Sequence, residues 1–334
     1  LKASGPVTVH QFNPKNRSGV FSNDASLLLP ATTLGTDYRV LGWPNLAEGL
    51  AAYATIVAVE EKPQQPKTQV TVSTPVKLAA GGGVGSIAAN SSRSFSLEKG
   101  EVLKLAVAWS GQSSPASQND PTGMKITTNG NKLAVFSGHQ CANAPLDTPP
   151  CDHLEQQLYP VKTWDKEYVF SKFKPRGTED DIYRVLAAQD NTQITTKPST
   201  AANGKTINAG EVLEFKSTGS VYVKATKPIS AGQFMVGSTY PGPNNGCDIR
   251  SGQTSGCKIP TKAECNGSGI GDPAFMLNTP TTQYRKDYVV QTPKDYKKDY
   301  LNFVIPPKTA VSLDGNNLSS SGSQVGGPQW RVIQ

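Results

Sequence analysis

The sequence predicts an all-β protein made of tandem, antiparallel, sandwich-like repeat units, and three observations carry that prediction. The stretch LKASGPVTVHQFNP at residues 1–14 recurs from Ile126 as ITTNGNKLAVFSGH and from Val223 as VKATKPISAGQFMV. Within it, Val7, Leu133 and Ile229, then Val9, Val135 and Ala231, keep the period-two parity of a half-buried strand, and a turn precedes each copy. Composition agrees: 36% hydrophobic and 18% charged residues, with 31 Gly and 25 Pro, is the balance of a turn-rich β protein.

After the opening strand comes a block read three times: SNDASLLLPATTLGTDYRV from Ser22, CDHLEQQLYPVKTWDKEYVF from Cys151 and GDPAFMLNTPTTQYRKDYVV from Gly271. Each carries an aspartate (Asp24, Asp152, Asp272), an apolar run, a proline (Pro30, Pro160, Pro280) and a tyrosine strand (Tyr38, Tyr168, Tyr288). The next elements, YATIVAVEE, YRVLAAQDN and YLNFVIPPK, are each followed by a second β-rich run, and the tight links read as hairpins. The shared Gly-Glu-Val-Leu at residues 100–103 and 210–213 reads as two strands around a glycine turn.

One unit is therefore an Asp block, a tyrosine strand, two hairpins and the opening motif as its last strand. This places units at residues 22–139 and 140–236, a Cys/Gly/Asn-rich loop at 237–270, and an incomplete third unit at 271–334. Residues 1–14 then belong to a preceding unit. The alternative is that they complete the third unit and close a propeller-like ring.

The formal charge is +7, but Lys and Arg are spread along the whole length, without the concentrated stripe of a nucleic-acid surface. The densest patch, YRKDYVVQTPKDYKKDY from Tyr284, interleaves aspartates and reads as an exposed strand face. No stretch approaches the length of an apolar membrane span. The glycine-rich loop at Ala79 lacks the Lys-Ser/Thr ending of a phosphate loop.

Cys141 and Cys151 bracket a short loop, and Cys247, Cys257 and Cys265 lie in the second window. Neither window has paired zinc spacing, so disulfides in an oxidising compartment are the simpler account. Cys141 pairs with Cys151 and Cys247 with Cys257, leaving Cys265 free or joined to another chain.

The three histidines, His10, His139 and His153, include two that flank the first bridge beside Asp152, which reads as a hydrogen-bonded loop and not as a metal site. No HExxH, GxSxG or serine-lysine pattern occurs. Glu179, Asp180 and Asp181 are consecutive and read as solvated loop charges. The recurring Asp24, Asp152 and Asp272 read as acceptors of backbone N–H bonds, in preference to a calcium site, and Gln11 and Gln233 as satisfying backbone groups between strands. No catalytic residue, cofactor or metal is expected.

At FSGHQCANAP, CDHLEQQLYPVKTWDKEYVF and DIYRVLAAQDNTQI, and again at QFNP, SNDASLLLPATTLGTDYRV, KPISAGQF and GDPAFMLNTP, the chain resembles the IgGFc-binding protein N-terminal domain family, in wording closer to its bacterial branch. The resemblance implies a secreted or cell-surface, disulfide-bearing, non-enzymatic module for adhesion to a protein or glycan. It differs from the larger animal protein in lacking the cysteine-dense von Willebrand type D pattern. GDPA at Gly271 also replaces the self-cleaving GDPH of those domains. Two other readings are a subunit that assembles a surface filament by strand-edge pairing and, third, a carbohydrate-acting hydrolase.

Overall fold

The structure, a computed structural model, describes residues 1–13, 22–111, 119–238, 240, 271–292, 299–318, 322–327 and 329–334. Cys247, Cys257 and Cys265 lie outside the described residues. The strands in chain order are β1 His10–Asn13, β2 Asp24–Leu27, β3 Asp37–Arg39, β4 Ala52–Ala58, β5 Thr68–Thr74, β6 Ser91–Leu97, β7 Val102–Ala106, β8 Lys125–Thr128, β9 Leu133–Ala142, β10 Asp152–Gln157 and β11 Asp165–Phe170. They continue as β12 Asp181–Ala187, β13 Thr192–Lys197, β14 Thr206–Ile207, β15 Val212–Ser217, β16 Val221–Met235, β17 Ala274–Leu277, β18 Phe303–Ile305, β19 Ser312–Leu313, β20 Asn316–Asn317, β21 Ser323–Val325 and β22 Trp330–Ile333. Among the described residues there is no α-helix.

Two four-stranded sheets, β10-β9-β4-β7 and β3-β8-β5-β6, face each other across the first core. Alternation explains why: β5 buries Val70 and Val72 and turns Gln69 outward, while β4 sends Ala54 and Ile56 to the opposite wall of the same core. The next sheet is β14-β13-β16-β12-β15 with β11 and β17 also on β16, curled into an open half-barrel around Tyr168, Phe170, Tyr183 and Phe215. The long strand β16 makes the curl. Its first half pairs with β11 and β13, and its second half with β12 and β17.

The hairpins expected from the sequence do not form. β4 pairs with β7 and β9 but not with β5, and β12 pairs with β15 and β16 but not with β13. β6 and β7, on either side of the first Gly-Glu-Val-Leu turn, likewise go to different sheets. In the first unit each link carries the chain across the sandwich, and in the second it carries the chain around the curl to the other side of β16. Stacking two half-apolar strands face to face buries both apolar faces, which side-by-side pairing in a two-stranded ribbon does not. Gly100 at φ 91° and Gly210 at φ 85° make the turns of the two Gly-Glu-Val-Leu links, in a backbone region that other residues seldom adopt.

The closed ring is also not formed. β1 pairs with β2 of the first Asp block, with His10 opposite Leu27 and Asn13 opposite Asp24, and, among the described residues, with no strand of the third unit. The third unit itself has the sheet β18-β22-β21 and the small hairpin β19-β20, whose turn uses Asp314 at φ 48° and Gly315 at φ 83°. Residues 288–290, expected on a strand face, are exposed and outside any strand.

Candidate functional site

Three junctions of one design hold the chain together. The N–H of Leu28 donates to the Val9 carbonyl, that of Leu158 to Val135 and that of Asn278 to Ala231, all at 2.8 Å. Each donor lies two residues before its proline, and each acceptor is the aligned position of the opening motif. The same register sets Gln11 opposite Ser26, Ser137 opposite Gln156 and Gln233 opposite Met276. Counted from the prolines, Ser22 is therefore the partner of Asp152 and Asp272, and Asp24 sits two residues nearer its proline than they do.

The three Asp-block strands come together at the junctions. β2 and β10 run alongside without a backbone ladder, because side-chain oxygens of β2 and of Ser22 just before it take the place of carbonyls. Ser22 Oγ accepts from His153 N at 2.7 Å, Asp24 Oδ2 from Glu155 N at 2.8 Å and Ser26 Oγ from Gln157 N at 2.7 Å. In return the Gln157 side chain accepts from Leu29 N at 2.7 Å. Asp24 also accepts from Ala25 N at 2.8 Å and is bonded by the N–H of Phe275 from β17. One carboxylate thus touches all three blocks.

Burial dominates the electrostatics of this cluster. It pushes the Asp24 carboxyl well above its usual range, against the lowering by backbone N–H bonds, and neighbouring Asp152 raises it further. Asp152 is pushed up to about 6 by burial, with Asp272 adding to the rise and the Ser22 hydroxyl and nearby N–H groups opposing it. Asp272 is raised by burial and held back by the Arg176 guanidinium. That guanidinium lies against Gly271, whose φ of 95° and lack of Cβ make the approach possible. Tyr53 is raised by burial and then by the Glu155 and Asp24 carboxylates, and its ring lies over Gly138. A cavity of about 340 Å³ opens between the three blocks, lined by Ala25, Leu29, Gln157, Tyr159, Met276 and Thr279.

His139 is buried, its Nε2 3.0 Å from the Pro44 carbonyl and its Nδ1 accepting from Cys141 N at 3.1 Å, which makes Nε2 the protonated nitrogen. Burial pushes its pKa down to about 4, with the Pro44 carbonyl opposing and His153 adding to the fall. His153 instead faces Glu155 at 3.9 Å. Among the described residues, no group of three His, Cys, Asp or Glu is placed to hold a metal ion. Cys141 and Cys151 are bridged, with Cα atoms 5.1 Å apart, across the strands β9 and β10 that form the second junction.

Gln233 is buried and donates to the Ser171 carbonyl at 2.8 Å and to Asp181 Oδ2 at 2.7 Å, while Gln11 is half-buried opposite Ser26. The expectation that Glu179 and Asp181 are solvated loop charges is overturned. Both are buried against Lys172, which bonds Asp181 and lies 3.5 Å from Glu179. A carboxylate at that depth needs a cation, and Lys172 and Arg176 fold back from the preceding loop to supply it. Sequence reasoning missed a second buried set: Arg184 on β12 reaches Asp120 at 2.5 Å, Glu214 at 3.1 Å, Thr122 at 3.1 Å and the Gly42 carbonyl. The lone Arg within the apolar strand IYRVLA was the available signal.

A larger, shallower recess of about 670 Å³ lies between β11, β13, β16 and the turn at Thr281–Gln283, lined by Asp165, Glu167, Gln193, Lys224 and Thr282. Its rim carries the Glu167–Lys224 ion pair at 2.9 Å and the Thr282–Asp165 hydrogen bond at 2.6 Å. The buried carboxyls therefore hydrogen-bond strands to one another, while the open recess presents mixed charge and hydroxyls to solvent.

A family model described as IgGFc binding protein matches residues 24–333. No curated protein and no solved structure matches the chain.

Proposed function

The chain belongs to the IgGFc binding protein family, and from that premise we propose that it is a secreted or cell-surface module that binds a protein ligand without turnover. The observation that carries this reading is the match across residues 24–333, because it takes in all three Asp blocks and not a single motif. The Cys141–Cys151 bridge supports an oxidising compartment. No helix among the described residues is long and apolar enough to cross a membrane. The buried carboxyls support a shape-holding role, since each of Asp24 and Asp152 accepts backbone N–H bonds.

The recess around Glu167 and Lys224 is the ligand surface in this proposal: it sits on rigid strands, is open to solvent and offers both charges and hydroxyls. Binding of the immobilised chain to immunoglobulin G Fc and to a panel of extracellular proteins, measured by surface plasmon resonance, tests it. The expected result is saturable binding to at least one protein, weakened about tenfold or more by Lys224→Glu. A chain that binds none of them and instead releases product from peptide or glycan substrates overturns the reading.

A further inference from the structure

Two sheets in this chain share one strand order: Asp-block strand, opening-motif strand, centre strand, glycine-turn strand. They are β10-β9-β4-β7 and β17-β16-β12-β15. β1, β2, β18 and β22 form two halves of a third such sheet. β2 pairs with β1, and β18 pairs with β22. The edges that meet in the other two sheets, β9 on β4 and β16 on β12, are here both open, on β1 and on β18. Each open edge leaves a row of backbone N–H and C=O groups without a strand partner among the described residues.

The tyrosines report the same vacant place by a separate route. Tyr38 accepts from Gly35 N at 2.9 Å and donates to the Leu133 carbonyl at 2.7 Å. Tyr168 accepts from Asp165 N at 3.4 Å and donates to the Ile229 carbonyl at 2.6 Å. Tyr288 accepts from Arg285 N at 2.8 Å, yet its hydroxyl has no carbonyl to donate to among the described residues. In the opening motif the position of Leu133 and Ile229 is Val7. Side-chain exposure agrees on both sides: Val7 is 60% and Leu1 98% exposed, while Tyr288, Val289 and Val290 are 66%, 74% and 52% exposed. Their counterparts Tyr38, Val40, Tyr168, Val169 and Phe170 are buried.

We propose that the open edge of the third unit, β18 together with residues 288–290, takes residues 1–13 of a second copy of this chain. The chain's own segment does not occupy that edge: residues 1–8 are in solvent and, among the described residues, β1 is paired with β2 alone. A donor copy repeats across the interface the junction that β9 and β16 already make within the chain. The Val7 carbonyl then receives the Tyr288 hydroxyl, and the apolar side chains on both sides leave water. Just before β1, the Val9 carbonyl accepts from Leu28 N just after β2, so the backbone groups of Thr8 point to the other, open side. This assembly goes beyond the ligand-binding reading and does not depend on it, because it is measured with no ligand present.

Sedimentation velocity on the whole chain over a concentration series tests the proposal. A dimer or larger species that grows with concentration is expected, and Thr8→Pro and Tyr288→Phe are each expected to raise its dissociation constant about tenfold or more. Both positions are exposed, so unchanged thermal melting of the variants separates lost assembly from lost folding. Mixing copies that carry Val7→Cys with copies that carry Tyr288→Cys should give a disulfide-linked adduct above the level of the unsubstituted chain. A chain that stays monomeric at every concentration overturns the proposal. So does a Val7→Cys/Tyr288→Cys double variant that links within a monomer, since the donor is then the same chain.

Discussion

The hydroxyl of Tyr168 donates a 2.6 Å hydrogen bond to the backbone carbonyl of Ile229, and this bond ties the tyrosine strand of a block to the last strand of its unit. Tyr38 makes the same bond to Leu133. Both rings are buried, so the phenol cannot exchange its partner for water. Tyr168→Phe leaves a buried carbonyl unpaired and should destabilise the fold by about 1–3 kcal/mol in urea denaturation, as should Tyr38→Phe. Equal stability of the Phe variants and the parent would refute that role.

Arg184 is buried against Asp120 and Glu214 and also bonds the Gly42 carbonyl and Thr122. Removing it strands a buried carboxylate. Arg184→Ala should cost about 3–5 kcal/mol, whereas Arg184→Ala combined with Asp120→Ala should cost less than the sum of the two single changes. The double-mutant cycle measures the difference directly.

Asp152 and His139 give opposite pH signatures. The folded pKa of Asp152, about 6, lies above the unfolded carboxylate value, so the folded chain holds the extra proton and loses stability as pH rises from about 4 through about 6. Asp152→Asn should remove that loss, gaining roughly 1–2 kcal/mol relative to the parent between pH 4 and pH 7.

The folded pKa of His139, about 4, lies below the unfolded value of about 6.5. Its contribution is complete above that unfolded value and is lost as pH falls toward 4. At pH 5 the unfolded chain binds a proton that the folded chain cannot, and His139→Asn should flatten this slope by roughly 2 kcal/mol. Urea midpoints at a series of pH values separate the two residues, since over the same range Asp152→Asn removes a fall in stability with rising pH and His139→Asn removes a rise.

Opening the Cys141–Cys151 bridge should lower stability by about 3 kcal/mol through the entropy returned to the unfolded chain. Thiol labelling under non-reducing denaturation should leave both cysteines unmodified. Free alkylation of the pair would contradict an oxidised chain.

Strand identity was legible locally. The parity of Val7, Leu133 and Ile229, the alternation in TQVTVS and TQITT, and the fixed order of proline and tyrosine all follow from side chains that must alternate between core and solvent. The site was legible only in part: Asp24, Asp152 and Asp272 stood out as polar residues in apolar blocks. Their two-residue offset, the partnership with Ser22, and the Phe275 N–H that reaches Asp24 depend on strands brought from three places in the chain.

By itself the sequence determined that one β-rich block is copied in order, because repetition and period two are properties of neighbouring residues. Which sheet each strand joins, and that Glu179, Asp181 and Arg184 are buried, was decided only in the tertiary structure. The physical reason is that a strand's apolar face says that it must be covered but not by what. The cost of burying a charge is likewise met by partners such as Lys172 and Asp120, whose proximity no local pattern encodes.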